Sequence, residues 1–187
     1  MELKVPSEVK IDGYIPTAED LTFTGEQADG LFSNGRLSWV LEHYTSLLSF
    51  SNIQNASSCF YRLKSNVDLT NLTFYMKDGY SNSIGDMFRY SNLSHLPHIV
   101  GAINNCAELF QECYMKSIPD NFFDDFIFKK KPSFYSSEIR CSSIFSGCRN
   151  LTKVPSLKAF KQLDLALVPT STYGNFYYYL FNACYSL

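Results

Sequence analysis

One pattern recurs along this chain and restricts the folds open to it. A large apolar residue precedes a Phe, a small or thiol residue follows three positions after the Phe, and two spaced apolar residues come next. The clearest copies are SIFSGCRNLTKVP at 143–155 and ELFQECYMKSIP at 108–119. GLFSNGRLSWV at 30–40 and DMFRYSNLSHLP at 86–97 keep the grammar, YLFNACYSL at 179–187 begins it, and SCFYRLKSNVDL at 58–69 is a degenerate copy. The Phe positions are Phe32, Phe60, Phe88, Phe110, Phe145 and Phe181, separated by 28, 28, 22, 35 and 36 residues. Self-similarity at roughly 20–50 residues is the sequence signature of repeat architectures, in which one unit cannot bury its own apolar face and stacked units can.

Each part of the unit has a physical reading. The segment up to the small residue, as in SSIFSGC, is expected to form a short helical turn that buries the apolar-Phe pair. The small residue (Gly35, Ser91, Cys113, Cys148 or Cys184) closes that turn where neighbouring units pack tightly. The segment that follows, such as Leu151 to Val154 before Pro155, is expected to be a short strand, ended by Pro because Pro has no N–H for a ladder. The expected fold class is therefore an α/β repeat: an irregular solenoid of short parallel strands and short helical turns over residues 28–187. A small β-type N-terminal cap or attachment arm precedes it over residues 1–27, where Leu3 and Val5, then Val9 and Ile11, alternate with polar residues. The chain stops at Leu187 in mid-motif, from which we expect a solenoid incomplete at its C-terminus or covered there by a partner.

The grammar resembles that of the BspA-like leucine-rich repeats, in which F-x-G-C-x-x-L followed by I-P marks each coil. The match is closest at Phe145, Gly147, Cys148, Leu151, Val154 and Pro155, and good at Phe110, Cys113, Met115, Ile118 and Pro119. Ser91 and Gly35 stand where a thiol is the rule, and the copy at Phe60 departs furthest. The resemblance implies a leucine-rich-repeat fold over roughly residues 28–187. It also implies a role in adhesion or interaction, of the kind seen in bacterial and protist surface proteins and in phage structural proteins, rather than catalysis.

The inserts between copies depart from a compact repeat. NVDLTNLTFYMKD at 66–78 and LDLALVP at 163–169 are rich in strand formers, and residues 120–140 are long and aromatic; these are expected to add a strand or loop on the outer side of a coil. SNGRLSWVLEHYTSLLSF also reads as one amphipathic helix with Leu37, Val40, Leu41, Tyr44 and Leu48 on a face, which would demote the first copy to a cap.

Composition narrows the function. The hydrophobic fraction of 45% and aromatic fraction of 16% fit a buried core. A net charge of −2, with Lys129-Lys130-Lys131 as the longest basic run, gives no nucleic-acid footprint. No run of eighteen apolar residues exists to span a membrane. The six cysteines pose the sharpest alternatives. Cys106 and Cys141 hold one repeat position, and Cys113, Cys148 and Cys184 another. The spacing C-x6-C lacks the paired C-x2-C or His ligands of a metal site, so packing of free thiols is expected ahead of metal or disulfides, and no cofactor is expected. His43, His95 and His98 are the only histidines for a Cys–His nucleophilic pair, and repeat grammar already accounts for every thiol's surroundings.

The candidate binding residues lie between the two buried positions of each expected strand: Trp39, His95, Lys116, Ser117, Thr152 and Lys153. The expected function is a non-catalytic structural or binding module. It is placed in a virion, as a phage tail, fibre or head-decoration protein mediating assembly or host-surface recognition. A secreted bacterial surface adhesin is the alternative, and a thiol-dependent enzyme the third reading. The expected partners are proteins of a larger assembly, a homo-oligomer among them, or a glycan or protein of a host surface.

Overall fold

A computed structural model describes residues 17–79, 81–128, 139–162 and 179–187. The fold is mixed α/β, with a five-stranded parallel sheet and few, short helices. Helix α1 (Ala18–Leu21) is held by a capping box between Thr17 and Asp20, and leads directly into β1 (Thr22–Phe23). The sheet continues with β2 (Ser49–Ile53), β4 (Thr73–Met76), β6 (His98–Ile103) and β7 (Phe126–Phe128), each parallel to its neighbour, in the order β1-β2-β4-β6-β7. A second, two-stranded parallel sheet pairs β3 (Lys64–Ser65) with β5 (Asn92–Leu93). Helix α2 (Ser38–Tyr44) lies between β1 and β2.

After each main strand the chain turns a corner at a single bridged residue. Gln27, Asn55, Ser83, Asn105 and Arg140 form successive parallel bridges. At Asn55 and Asn105 the side-chain Oδ1 accepts the N–H two residues on, at 2.9 and 3.1 Å, which bends the backbone without leaving a donor unpaired.

The Phe motif follows the corner, and its backbone is not a helical turn. In every copy the residues two before and two after Phe are left-handed, with φ between 53° and 75°: Gly30 and Asn34, Ser58 and Arg62, Asp86 and Tyr90, Glu108 and Glu112, Ser143 and Gly147, Tyr179 and Ala183. These flips divide the N–H groups into two sets. The residues one before and one after Phe donate within their own copy to the third residue back, as Cys59 does to Ala56 and Tyr61 to Ser58. Phe and its left-handed flankers donate to the next copy instead: Ser58 to Gly85, Phe60 to Met87 and Arg62 to Arg89, each at 2.9 Å. The same bonds recur from Asp86, Phe88 and Tyr90 to Ala107, Leu109 and Gln111, and from Glu108, Phe110 and Glu112 to Ser142, Ile144 and Ser146.

This backbone register stacks the rings. Phe32, Phe60, Phe88, Phe110, Phe145 and Phe181 form one continuous column, with centroids 5.4, 5.6, 5.1, 5.9 and 5.3 Å apart and planes within 10° of parallel. A second column, Phe23, Phe50 and Phe74, comes from the inner face of the sheet and meets the first edge-on, at Phe32–Phe50 and Phe60–Phe74. The core sits between the two.

The sequence expectations need correction in two further places. The L-x-x-V/I/L segments do not carry the main strands. Leu37 to Val40 enters helix α2, Leu93 ends the two-residue β5, and Met115–Ile118 and Leu151–Val154 form no strand. Two inward residues three positions apart cannot both face one side of a pleated strand, whose side chains alternate. The main strands instead lie before each Phe, and Pro97 precedes β6 rather than closing a strand. The 66–78 insert supplies β4, the middle strand of the sheet, not an outer addition. Of the segment expected to cap the fold, residues 17–27 contribute β1 and the buried Leu21 and Phe23; its first sixteen residues, and LDLALVP at 163–169, lie outside the described residues.

Three substitutions test this backbone. Phe88→Ala, which empties the middle of the ring column, should cost about 3–5 kcal/mol in denaturant unfolding. Ser58→Gly should stabilise by roughly 0.5–1 kcal/mol in the same measurement, because it relieves a left-handed φ of 54°. Gly147→Ala should destabilise, since its new Cβ would stand 2.7 Å from Glu112 Cγ and 3.4 Å from Glu112 Cα.

Candidate binding face

Immediately after each ring column the chain runs along the face that carries β3 and β5. Lys64 pairs in register with Asn92, and Tyr114 N–H donates to Ser91 O at 2.9 Å, so residues four positions after Phe come side by side in successive copies. Asn150 reaches the same face, its Nδ2 donating to Tyr114 O at 3.2 Å. Because the residue three after Phe points into the core, its neighbours at two and four after Phe point out. Leu63, Ser91, Cys113 and Cys148 are buried, while Arg62, Lys64, Asn92 and Tyr114 are exposed.

Cationic and aromatic side chains interleave there. Lys64 Nζ lies 4.9 Å from the centre of the Tyr114 ring, and Tyr114 itself is 47% exposed. The Arg62 guanidinium lies over both Tyr61 and Tyr90, which are edge-on to each other, at 5.2 and 5.3 Å from their centres. Tyr90 is anchored by its hydroxyl, which donates to Glu112 Oε1 at 3.0 Å, and by Arg89, which is itself bound to Asp86 and Glu108 at 3.0 and 2.7 Å.

Two clefts open on this face and share Lys64 and Tyr114. One, of about 550 Å³, has buried Leu93 and Met115 among its walls, with Asn66, Asn92, Asn150, Ser94, Lys116 and Ser117 around them. The other, of about 530 Å³, adds Asn34, Arg62 and Tyr90. Small-ligand sites are usually lined mainly by apolar groups; these clefts are lined mainly by polar side chains and tyrosine rings, which suits a polar ligand.

The six residues picked from the sequence divide. Lys116 and Ser117 line the first cleft. Thr152 is exposed beside it, and both its N–H and Oγ1 donate to Lys116 O, at 3.1 and 3.2 Å. His95 is exposed, with Nδ1 3.0 Å from the Oγ of Ser94, a lining residue. Lys153 is drawn to Asp120 at 2.5 Å. Trp39 does not belong to the face: it is half-buried on α2, edge-on to Tyr44 at 6.0 Å, with its indole N–H unpartnered among the described residues. It was expected on a strand, but Leu37, Val40 and Leu41 have helical spacing and no Pro follows them. Arg62, Lys64, Tyr90 and Tyr114 were missed. Aligning the copies on Phe and reading the second and fourth positions after it would have found them.

The thiols are all unpaired, and all but Cys184 are buried. Cys106 Sγ lies 3.0 Å from Cys141 Sγ, Cys113 Sγ lies 3.2 Å from Cys148 Sγ, and Cys148 and Cys184 each donate to the Phe carbonyl of the preceding copy at 2.9 Å. Burial pushes the Cys59 and Cys141 thiols well above the ordinary value. The hydrogen bond with Cys113 raises Cys148, and the same bond lowers Cys113. Among the described residues no helix is long and apolar enough to cross a membrane, and no three His, Cys, Asp or Glu side chains gather as a metal site.

No family model, curated protein or solved structure matches the chain.

The thiol geometry predicts an order of reactivity. On brief treatment of the native protein with iodoacetamide, Cys184 should be alkylated first, and Cys59, Cys106, Cys113, Cys141 and Cys148 only on unfolding, as read by peptide mass spectrometry. Rapid labelling of one buried thiol would point to an activated nucleophile instead.

Proposed function

We propose that this chain is a non-catalytic binding module built on an irregular leucine-rich-repeat-like solenoid, with its ligand seated in the paired clefts around Lys64 and Tyr114. The observation that carries the reading is the sharing of those two side chains by both clefts, since it makes one continuous site from adjacent copies of the repeat. The unbroken Phe column and the copy-to-copy backbone bonds support the repeat reading and the likeness to BspA-like repeats. A non-catalytic role is supported by what shares the thiol positions. The Cys106 and Cys141 column also takes Ala28, Ala56 and Ile84, and the Cys113 and Cys148 column takes Gly35, Leu63 and Ser91, residues that share size or burial but no reactivity.

The proposed setting is a virion, where the clefts would face a host surface or a neighbouring subunit. A secreted surface adhesin uses the same face and is the alternative. Immunogold labelling with an antibody against the chain separates the two: label on particles is the expected result, and label confined to the cell envelope would replace the virion setting with the adhesin. The site itself is tested on an array of immobilised saccharides and proteins. Tyr114→Ala should remove about 1–2 kcal/mol of binding, or roughly tenfold in affinity, with little change in the unfolding midpoint, because the residue lies at the surface and is 47% exposed. Binding that survives Tyr114→Ala unchanged would move the site elsewhere.

A further inference from the structure

The clefts carry a charge opposite to that of the chain as a whole. The protein has a formal net charge of −2, yet Arg62, Lys64 and Lys116 line the two clefts and neither lining contains an Asp or Glu. Several other surface cations are neutralised: Lys77 pairs with Glu26, Arg89 with Asp86 and Glu108, and Lys153 with Asp120; the exposed Arg36, Arg149 and Lys158 line neither cleft. Arg62, Lys64 and Lys116 have no carboxylate partner among the described residues. Glu112, which accepts from the Tyr90 hydroxyl, lies outside both linings.

Arg62 and Lys64 are held against tyrosine faces instead, with the guanidinium 5.3 Å from the centre of Tyr90 and the ammonium 4.9 Å from that of Tyr114. A cation resting on a ring keeps its charge and much of its donor capacity for an incoming anion, and the ring fixes its position. The rest of the wall is of a different kind. Asn66, Asn92 and Asn150 provide amides, which both donate and accept, and Ser94 and Ser117 provide hydroxyls. That mixture suits a ligand dense in hydroxyl groups that also bears a negative charge.

We infer that the paired clefts take an acidic saccharide, with its carboxylate held by Lys64 and its flankers Arg62 and Lys116, its hydroxyls by the asparagine amides, and a sugar face against Tyr114. This rests on the reading of the clefts as the binding site. A nucleic acid would also use cations and rings. However, only three cations line the clefts, and a chain of net charge −2 offers no extended basic track for a polyphosphate backbone.

The test is calorimetric titration of the full chain with sialyllactose and with an oligouronate, against neutral lactose, inorganic phosphate and a single-stranded oligonucleotide. At least one acidic saccharide should bind about tenfold or more tightly than lactose, and raising the salt from about 50 to about 500 mM should weaken it. Lys64→Gln and, separately, Lys116→Gln should abolish the preference for acid over neutral sugar while leaving the circular-dichroism spectrum and unfolding midpoint unchanged. Equal binding of neutral and acidic sugars would overturn the acidic class and leave the clefts as a saccharide site. Binding of phosphate as tight as the acidic sugar would show a bare anion site and overturn the saccharide. Preference for the oligonucleotide, or no binding to any probe, would overturn the inference. Saccharide binding unaffected by Tyr114→Ala would overturn the placement in the clefts and, with it, the reading on which the inference rests.

Discussion

The structure depends on a division of labour among backbone N–H groups. Around each motif Phe, alternate residues donate inward to their own turn and outward to the next copy, and the left-handed pair two positions either side of the ring makes this alternation possible. A continuous helix would send every N–H along its own axis and leave nothing to hold neighbouring copies in register. The cost is real, because ten of these twelve positions are not glycine and an L-residue there loses about 1 kcal/mol or more. What offsets it is that the donors around the ring are satisfied in an interior that excludes water, where an orphan would cost more.

The ring column is a consequence of this register rather than its cause. Once the Phe N–H of one copy reaches into the next, the side chains superpose at 5.1–5.9 Å whatever lies between the copies. The thiol columns have the same origin. Cys106 and Cys141, and Cys113 and Cys148, come within 3.2 Å of each other because the register places equivalent atoms above one another. They occupy positions where other copies have Ala56, Ile84, Leu63 or Ser91.

Recurrence of Phe and its small partner was readable in the letters, and so was the burial of both in the middle copies, whereas Gly35 and Phe181 of the end copies are exposed. Parallel pairing between copies was readable as well, though the strands were assigned to the wrong segment. Apolar residues three apart, as in Met115 and Ile118, suggested a strand but cannot share one strand face. The true strands, such as Thr73–Met76, lie in stretches that do not repeat in sequence and so stood out as inserts. The left-handed flankers were largely hidden: Gly30, Gly147, Asn34 and Asp86 are of types that enter that conformation readily, but Glu108, Glu112, Arg62, Tyr90 and Tyr179 are not, and there only the tertiary bonding imposes it. Lys116 and Ser117 of the clefts were found because they sit next to a buried pair. Arg62, Lys64 and Tyr114 were not, because no single copy shows which of its polar residues will meet those of another.

The uneven spacing of the six rings acquires a meaning from this construction. Successive rings are separated by as few as 22 and as many as 36 residues, yet their centroids differ in separation by less than an ångström. Contour length and spatial pitch are thus uncoupled. The chain returns to a fixed docking point however long its excursion, and lengthening an excursion adds only a slowly growing closure entropy. Such a scaffold can acquire or lose surface segments between rings while the spacing of its side-chain columns stays constant, so variation in length becomes a route to new surfaces that leaves the frame in place.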